Sequence, residues 1–170
     1  MRFVSGTSGP IETLIGGLKS QGTAHVSPDG RWIAYDADDS GQFEIYVRPY
    51  PRTNDGRWRI STSGGRQPLW SPSGRELYYR DFAGALLAVP ITTTPAFQAG
   101  APTQIIAGGR YRGNGVTLSG RTYDVSRDNS RFLMIRAGTP TGGPLTMVVD
   151  RKSTRLNSSH TDISRMPSSA

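Results

Sequence analysis

No cysteine occurs among the 170 residues, which removes disulfides, thiolate zinc sites, iron–sulfur clusters and cysteine nucleophiles together, while leaving the compartment open. Histidine is nearly as scarce. His25 and His160 are the only two, so chemistry that needs an imidazole base or several imidazole ligands has little to draw on. No apolar run approaches the ~18 residues of a spanning helix, and the first residues lack the basic-then-apolar layout of a signal peptide. The expectation is a soluble chain without a targeting segment. Lysine is limited to Lys19 and Lys152. The basic charge is therefore carried by arginine.

That charge is considerable, with Lys+Arg 20 against Asp+Glu 13 and a net +7. A basic balance raises nucleic acid or an anionic membrane as partners. Placement argues against both, because the arginines stand singly along the chain. Arg31, Arg75 and Arg131 each follow a predicted turn, where the aliphatic stem can lie on apolar surface with its head in water. Nucleic-acid binding is not expected. Gly 21 and Pro 12 make up about a fifth of the chain, beside 35% hydrophobic and 19% charged residues. Such a mixture favours turns over helices, and the length suits one ordinary domain.

An internal repeat organises what is present. Ser27-Pro28-Asp29-Gly30-Arg31 returns as Ser71-Pro72-Ser73-Gly74-Arg75 and, more weakly, as Ser126-Arg127-Asp128-Asn129, with starts 44 and 55 residues apart. Each copy reads as a tight hairpin turn. Proline sets the first dihedral, Asp or Ser bonds back to the main chain, and Gly30, Gly74 or Asn129 takes the left-handed corner. Behind each turn comes a strand-forming run, Trp32 to Tyr35, Glu76 to Tyr79 and Arg131 to Met134. Ile33, Leu77 and Phe132 fall in one column, and Tyr35, Tyr79 and Met134 in another. Both columns lie on one side of a pleated strand.

Further runs repeat in step. Ile45 to Tyr50 matches Leu86 to Ile91, with Leu145 to Val149 as a third copy, and the prolines Pro49 and Pro90 are expected to end their ladders. Trp58 to Thr62 matches Thr103 to Ala107, and Ile11 to Ile15 fits the same slot; each is followed by a glycine pair or its near equivalent. Four short strands in each 40 to 50 residues, apolar in places on both faces, describe a propeller blade packed between neighbours. The chain is thus read as all-β, an open arc of about three four-stranded antiparallel blades. The boundaries are a partial blade at 1–17, full blades at 18–65 and 66–109, and an incomplete one at 110–149, with the Arg110 to Gly120 stretch as an inserted loop.

The ordered series Ser27–Tyr35 (SPDGRWIAY), Glu44–Tyr50 (EIYVRPY), Trp70–Asp81 (WSPSGRELYYRD), Leu86–Pro90 (LLAVP) and Thr122–Ile135 (TYDVSRDNSRFLMI) resembles the TolB-like, WD-repeat-like propeller repeats. More narrowly it resembles the C-terminal propeller of large bacterial proteins, often serine/threonine protein kinases. The resemblance spans about residues 11 to 149 and implies a non-catalytic recognition module with a protein or peptide ligand and with further blades in its parent. No glycine-rich loop with a strand lysine, HRD or DFG segment of a kinase is present. The ending departs from the family. Asp150 to Ala170 (DRKSTRLNSSHTDISRMPSSA) is serine-rich and without strand or helical periodicity; it resembles translated adapter sequence and is expected to be disordered and non-native.

Asp36-Ala37-Asp38-Asp39-Ser40-Gly41 begins like a calcium loop, but its twelfth position is Val47, where a bidentate glutamate is required. A Ser-His-Asp reading would rest on His25, since His160 lies in the doubtful tail, and no G-x-S-x-G elbow occurs. Trp32, Trp58 and Trp70 would suit a stacking platform, yet packing between blades accounts for them better. Gly113-Asn114-Gly115 lacks the Lys and Ser/Thr of a phosphate loop. No catalytic, cofactor or metal residue is therefore assigned, and no enzyme activity is expected of this chain. The other reading kept open is the substrate-gating propeller of a prolyl-oligopeptidase-like peptidase, whose hydrolase domain would lie elsewhere.

Overall fold

The three repeated turns are built alike, on a serine that closes the hairpin from both sides. Ser27 N–H donates to the Trp32 carbonyl at 2.8 Å, and the Ser27 hydroxyl accepts the Trp32 N–H at 3.0 Å. Ser71 does the same with Glu76 (2.9 and 3.1 Å), as does Ser126 with Arg131 (2.9 and 2.9 Å). The corner residues take positive φ as the turn demands: 71° at Gly30, 69° at Gly74 and 59° at Asn129.

A computed structural model describes residues 2–3, 12–16, 20–109, 111, 120–135 and 146–150. None of these is helical, and the chain is all-β. A short pair, β1 (Arg2–Phe3) and β2 (Glu12–Thr13), comes first. Next is a four-stranded antiparallel meander of β3 (Gln21–Val26), β4 (Trp32–Ala37), β5 (Glu44–Pro49) and β6 (Trp58–Arg59). The second sheet holds β7 (Arg66–Trp70), β8 (Glu76–Arg80), β9 (Leu86–Thr92), β10 (Gln98–Ala99) and β11 (Thr103–Ile106), with β10 and β11 both on the outer edge of β9. Among the described residues the third has three strands, β12 (Tyr123–Val125), β13 (Arg131–Ile135) and β14 (Thr146–Asp150).

Pro90 does not end its strand, contrary to the expectation from sequence. It is exposed, its carbonyl accepts the Gly100 N–H, and the Ile91 N–H donates to the Arg75 carbonyl, each at 2.8 Å, so the ladder resumes on both sides. Asp150, the first residue of the presumed tail, pairs with Arg131 in the β13–β14 ladder. The remainder of that tail lies outside the described residues.

Sheets stack face on face, and burial follows the columns of the repeat. Ala34 and Val47 of the first sheet share a cluster with Trp70, Leu77 and Tyr79 of the second. Leu69, Tyr78 and Leu86 of the second share another with Tyr123, Phe132 and Met134 of the third. On the outer side of the first sheet, Ile33, Tyr35 and Ala37 are covered by Ile15 and Leu14, whose carbonyl accepts the Thr53 hydroxyl at 2.6 Å. Each such large side chain contributes about 1.5–3 kcal/mol on burial, which only a neighbouring sheet can supply. Consecutive antiparallel sheets stacked this way are blades, and the chain forms an open, partial propeller.

Candidate recognition cleft and its polar surroundings

A cleft of about 650 Å³ opens where the turn of the first full blade meets that of the second. Ser27, Pro28, Asp29 and Trp32 form one wall, Trp70, Ser73, Gly74 and Arg75 the other, and Ile91 to Thr94 close one end. The walls are held from within. Asp29 accepts the Ser27 hydroxyl at 2.5 Å, the Arg31 N–H at 3.1 Å and Arg31 Nε at 2.8 Å. Partial burial pushes the Asp29 carboxyl up, but these bonds outweigh it and hold the group below the usual carboxylate range. Arg31 reaches across the boundary to the Thr93 hydroxyl at 3.5 Å. Beside the cleft, Trp32, Trp58 and Phe97 form an aromatic triad with centroids 4.8 to 5.5 Å apart.

On the sides where the first strands of successive blades meet, polar groups join the sheets. The Asp36 carboxylate, almost fully buried, accepts the Thr23 hydroxyl at 3.3 Å, Arg66 Nε at 3.4 Å and the Gln67 N–H at 3.4 Å. Burial raises its pKa, and the Gln67 amide and Arg66 only partly offset that. A Cβ on Gly22 would lie 2.5 Å from this carboxylate, so the close approach of β3 to β4 requires glycine there. Gln67 continues the chain of contacts. Its Oε1 accepts the Thr122 N–H at 3.1 Å and the Thr122 hydroxyl at 2.9 Å, and its carbonyl accepts the Tyr123 hydroxyl at 2.7 Å. Gln67 is held at φ 60° and buried, a conformation that this over-determined bonding maintains.

The sequence candidates are dispersed by the fold. Asp36 turns to Arg66 and Gln67, whereas Asp39 pairs with Arg57 at 2.5 Å, and Val47 is a buried core residue of β5. No group of three metal-ligating side chains occurs among the described residues. His25 Nδ1 accepts the Trp70 N–H at 3.1 Å, so that nitrogen is committed to the blade boundary. Burial lowers the His25 pKa, the Arg121 charge lowers it further, and Asp124 opposes. His160 and Gly113-Asn114-Gly115 lie outside the described residues. The sequence singles out Asp36 only as the start of a calcium-like stretch and does not point to Gln67 or to the link between them; an acidic residue in the otherwise apolar run Trp32 to Ala37, opposite the strand of Gly22, is the one signal of that role. Nor does the sequence point to Glu44, a buried carboxylate that accepts the Ser61 hydroxyl and, at 3.2 Å, the Gly64 N–H.

No family model and no curated protein sequence matches the chain. Solved structures do. TolB from Acinetobacter baumannii superposes with a TM-score of 0.55 at 16% identity, over 85% of this chain and 33% of that one. The oligogalacturonate lyase of Vibrio parahaemolyticus gives 0.54 at 15% identity, over 76% of this chain and 36% of its own. The chain thus spans about a third of the length of the solved structures it matches. At such identities the likeness is one of fold. The fold is that of a TolB-like β-propeller, seen here as an open run of blades.

Proposed function

We propose that this propeller segment is a non-catalytic recognition module that takes a protein or peptide ligand in the cleft between its first two full blades. The observation that carries the reading is the cleft itself. About 650 Å³, framed by two hydrogen-bonded turns and lined by serine and threonine hydroxyls, the Arg75 guanidinium and the half-buried Trp32, is within the usual size of a binding site and offers an arginine and a tryptophan, residue types enriched at recognition hot spots. Asp29 and Ser27 are engaged in holding their turn, and His25 Nδ1 in holding the blade boundary, which favours binding over acid–base work. On the resemblance drawn from sequence, the module serves as the sensor region of a larger bacterial protein such as a serine/threonine kinase.

A defined library of linear peptides screened against the full chain tests this. Peptides that bind should lose most of their affinity to Arg75→Glu and to Trp32→Ala, with folding retained by circular dichroism. A library with no binders, or binders indifferent to both changes, refutes the assignment of the cleft.

A further inference from the structure

The three repeated turns share one framework but differ in the column that decides where an arginine goes. Their third residue is Asp29, Ser73 and Asp128 in turn. In the first and third turns the carboxylate is used up locally. Asp29 holds the Ser27 hydroxyl, the Arg31 N–H and Arg31 Nε, and Asp128 accepts the Ser126 hydroxyl at 2.5 Å, the Ser130 N–H at 3.1 Å and the Ser130 hydroxyl at 2.7 Å. In the second turn a serine stands in that place. Its hydroxyl bonds with that of Ser71 at 3.2 Å and accepts the Arg75 N–H at 3.4 Å, so the main-chain role survives and the charge is gone. Among the described residues the exposed Arg75 guanidinium makes no hydrogen bond or ion pair.

That difference sets the charge of the cleft. Asp29 and Arg75 are the charged side chains that line it. Arg31 pairs with Asp29 at 2.8 Å, which leaves the Arg75 charge uncompensated. The corner main-chain donors are already engaged: the Gly30 N–H on the Ser27 carbonyl and the Gly74 N–H on the Ser71 carbonyl, each at 2.9 Å, the Arg31 N–H on Asp29 and the Arg75 N–H on Ser73. These four groups therefore offer no backbone nest for a terminal carboxylate. A single guanidinium, with no lysine beside it, balances one negative charge and not the nearly two of a phosphate.

We infer that the cleft selects peptides carrying an acidic side chain, Asp or Glu, whose carboxylate pairs with the guanidinium of Arg75. A planar carboxylate can accept two parallel N–H bonds from a guanidinium, which gives the contact direction as well as charge. Ser73 is the residue that makes this selection possible. An aspartate in its place would tie Arg75 to its own turn, as Asp29 ties Arg31. The inference rests on the reading of the cleft as a peptide site and adds what that site selects.

The test titrates the full chain with labelled pools of short peptides, blocked at both ends and built from uncharged residues around a central Glu, Gln, phosphoserine or Lys. A further pool has central Gln and a free C-terminal carboxylate. The Glu pool should bind about tenfold or more tighter than the Gln pool. That preference should vanish in Arg75→Gln and in Ser73→Asp and persist in Ser73→Asn, with folding checked by circular dichroism; Arg75→Gln decides the matter if Ser73→Asp does not fold. Equal binding of the Glu and Gln pools, or a preference that survives Arg75→Gln, overturns the inference. So does tighter binding of the phosphoserine, Lys or free-carboxylate pool than of the Glu pool. A preference kept by a folded Ser73→Asp overturns the role given to Ser73. Binding without a Glu preference that is nevertheless lost in Trp32→Ala leaves the cleft a peptide site and removes only its selectivity, whereas no binding by any pool removes both.

Discussion

The main-chain N–H of Trp70 donates to Nδ1 of His25 at 3.1 Å, and the Trp70 indole returns to the His25 carbonyl at 3.2 Å, joining two blades through residues 45 apart in sequence. Nδ1 can accept only when it carries no proton. The bond therefore selects the neutral imidazole with its proton on Nε2. Burial, aided by Arg121, pushes the His25 pKa below its ordinary 6.5 against the pull of Asp124.

Stability should consequently depend on pH in a definite direction. A proton binds His25 more tightly in the unfolded chain than in the folded one, so the neutral form's contribution is complete above the unfolded value of about 6.5. It is lost as pH falls from there toward the lower folded value. Melting temperatures between pH 8 and pH 5.5 should decline in the wild type, and more weakly in His25→Gln, whose amide oxygen can accept the Trp70 N–H without titrating. An equal decline in both would assign the effect to another group.

Gln67 links its own sheet to the one before and the one after it, with its N–H on Asp36, its side chain on Thr122 and its carbonyl on Tyr123. Gln67→Leu keeps the positive φ and strips the buried Thr122 donors of their acceptor, at a cost of about 2–4 kcal/mol. Gln67→Gly removes the same acceptor but relieves the backbone, and should cost less. Urea unfolding checks the order; a leucine variant as stable as the wild type contradicts it.

Asn129 holds a left-handed corner at φ 59° and also bonds outward, accepting the Tyr78 hydroxyl at 2.7 Å and donating to Glu76 at 3.1 Å. Its replacement by glycine should cost roughly 1 kcal/mol for the lost bonds. Alanine adds roughly 1–2 kcal/mol of backbone strain. If alanine and glycine prove equal by chemical denaturation, the turn does not constrain this residue as described.

Adjacent residues of β13 should respond very differently to truncation. Phe132 is fully buried against Tyr78, and Phe132→Ala should cost about 3–5 kcal/mol. Leu133 points the other way and is substantially exposed, so Leu133→Ala should cost less than about 1 kcal/mol. Comparable losses in thermal denaturation would mean that both faces of the strand are covered.

The hairpins were legible because their determinants are local. A serine, a proline or acidic residue and a glycine within five positions settle the turn by sterics and short-range bonds, and Asn129 stands in for glycine by the same chemistry. The columns of Ile33, Leu77 and Phe132 were legible too, since a pleated strand has period two whatever surrounds it. Pro90 misled, because whether a missing N–H ends a ladder depends on what lies beside it, here the partner carbonyl of Arg75 and the extra strand β10.

By itself the sequence determined a repeated antiparallel unit with a large apolar face, through contacts within some 45 residues. Only the tertiary structure decided what those units meet. Asp36 finds Arg66 and Gln67, Trp70 finds His25, and Gln67 finds Thr122 across 30 to 55 residues of chain, pairings between side chains that no local propensity encodes. The same holds for the exposed pair Leu133 and Ile135. Their apolar character is written in the sequence, but whether they lie in the core or at the surface depends on what is stacked against them.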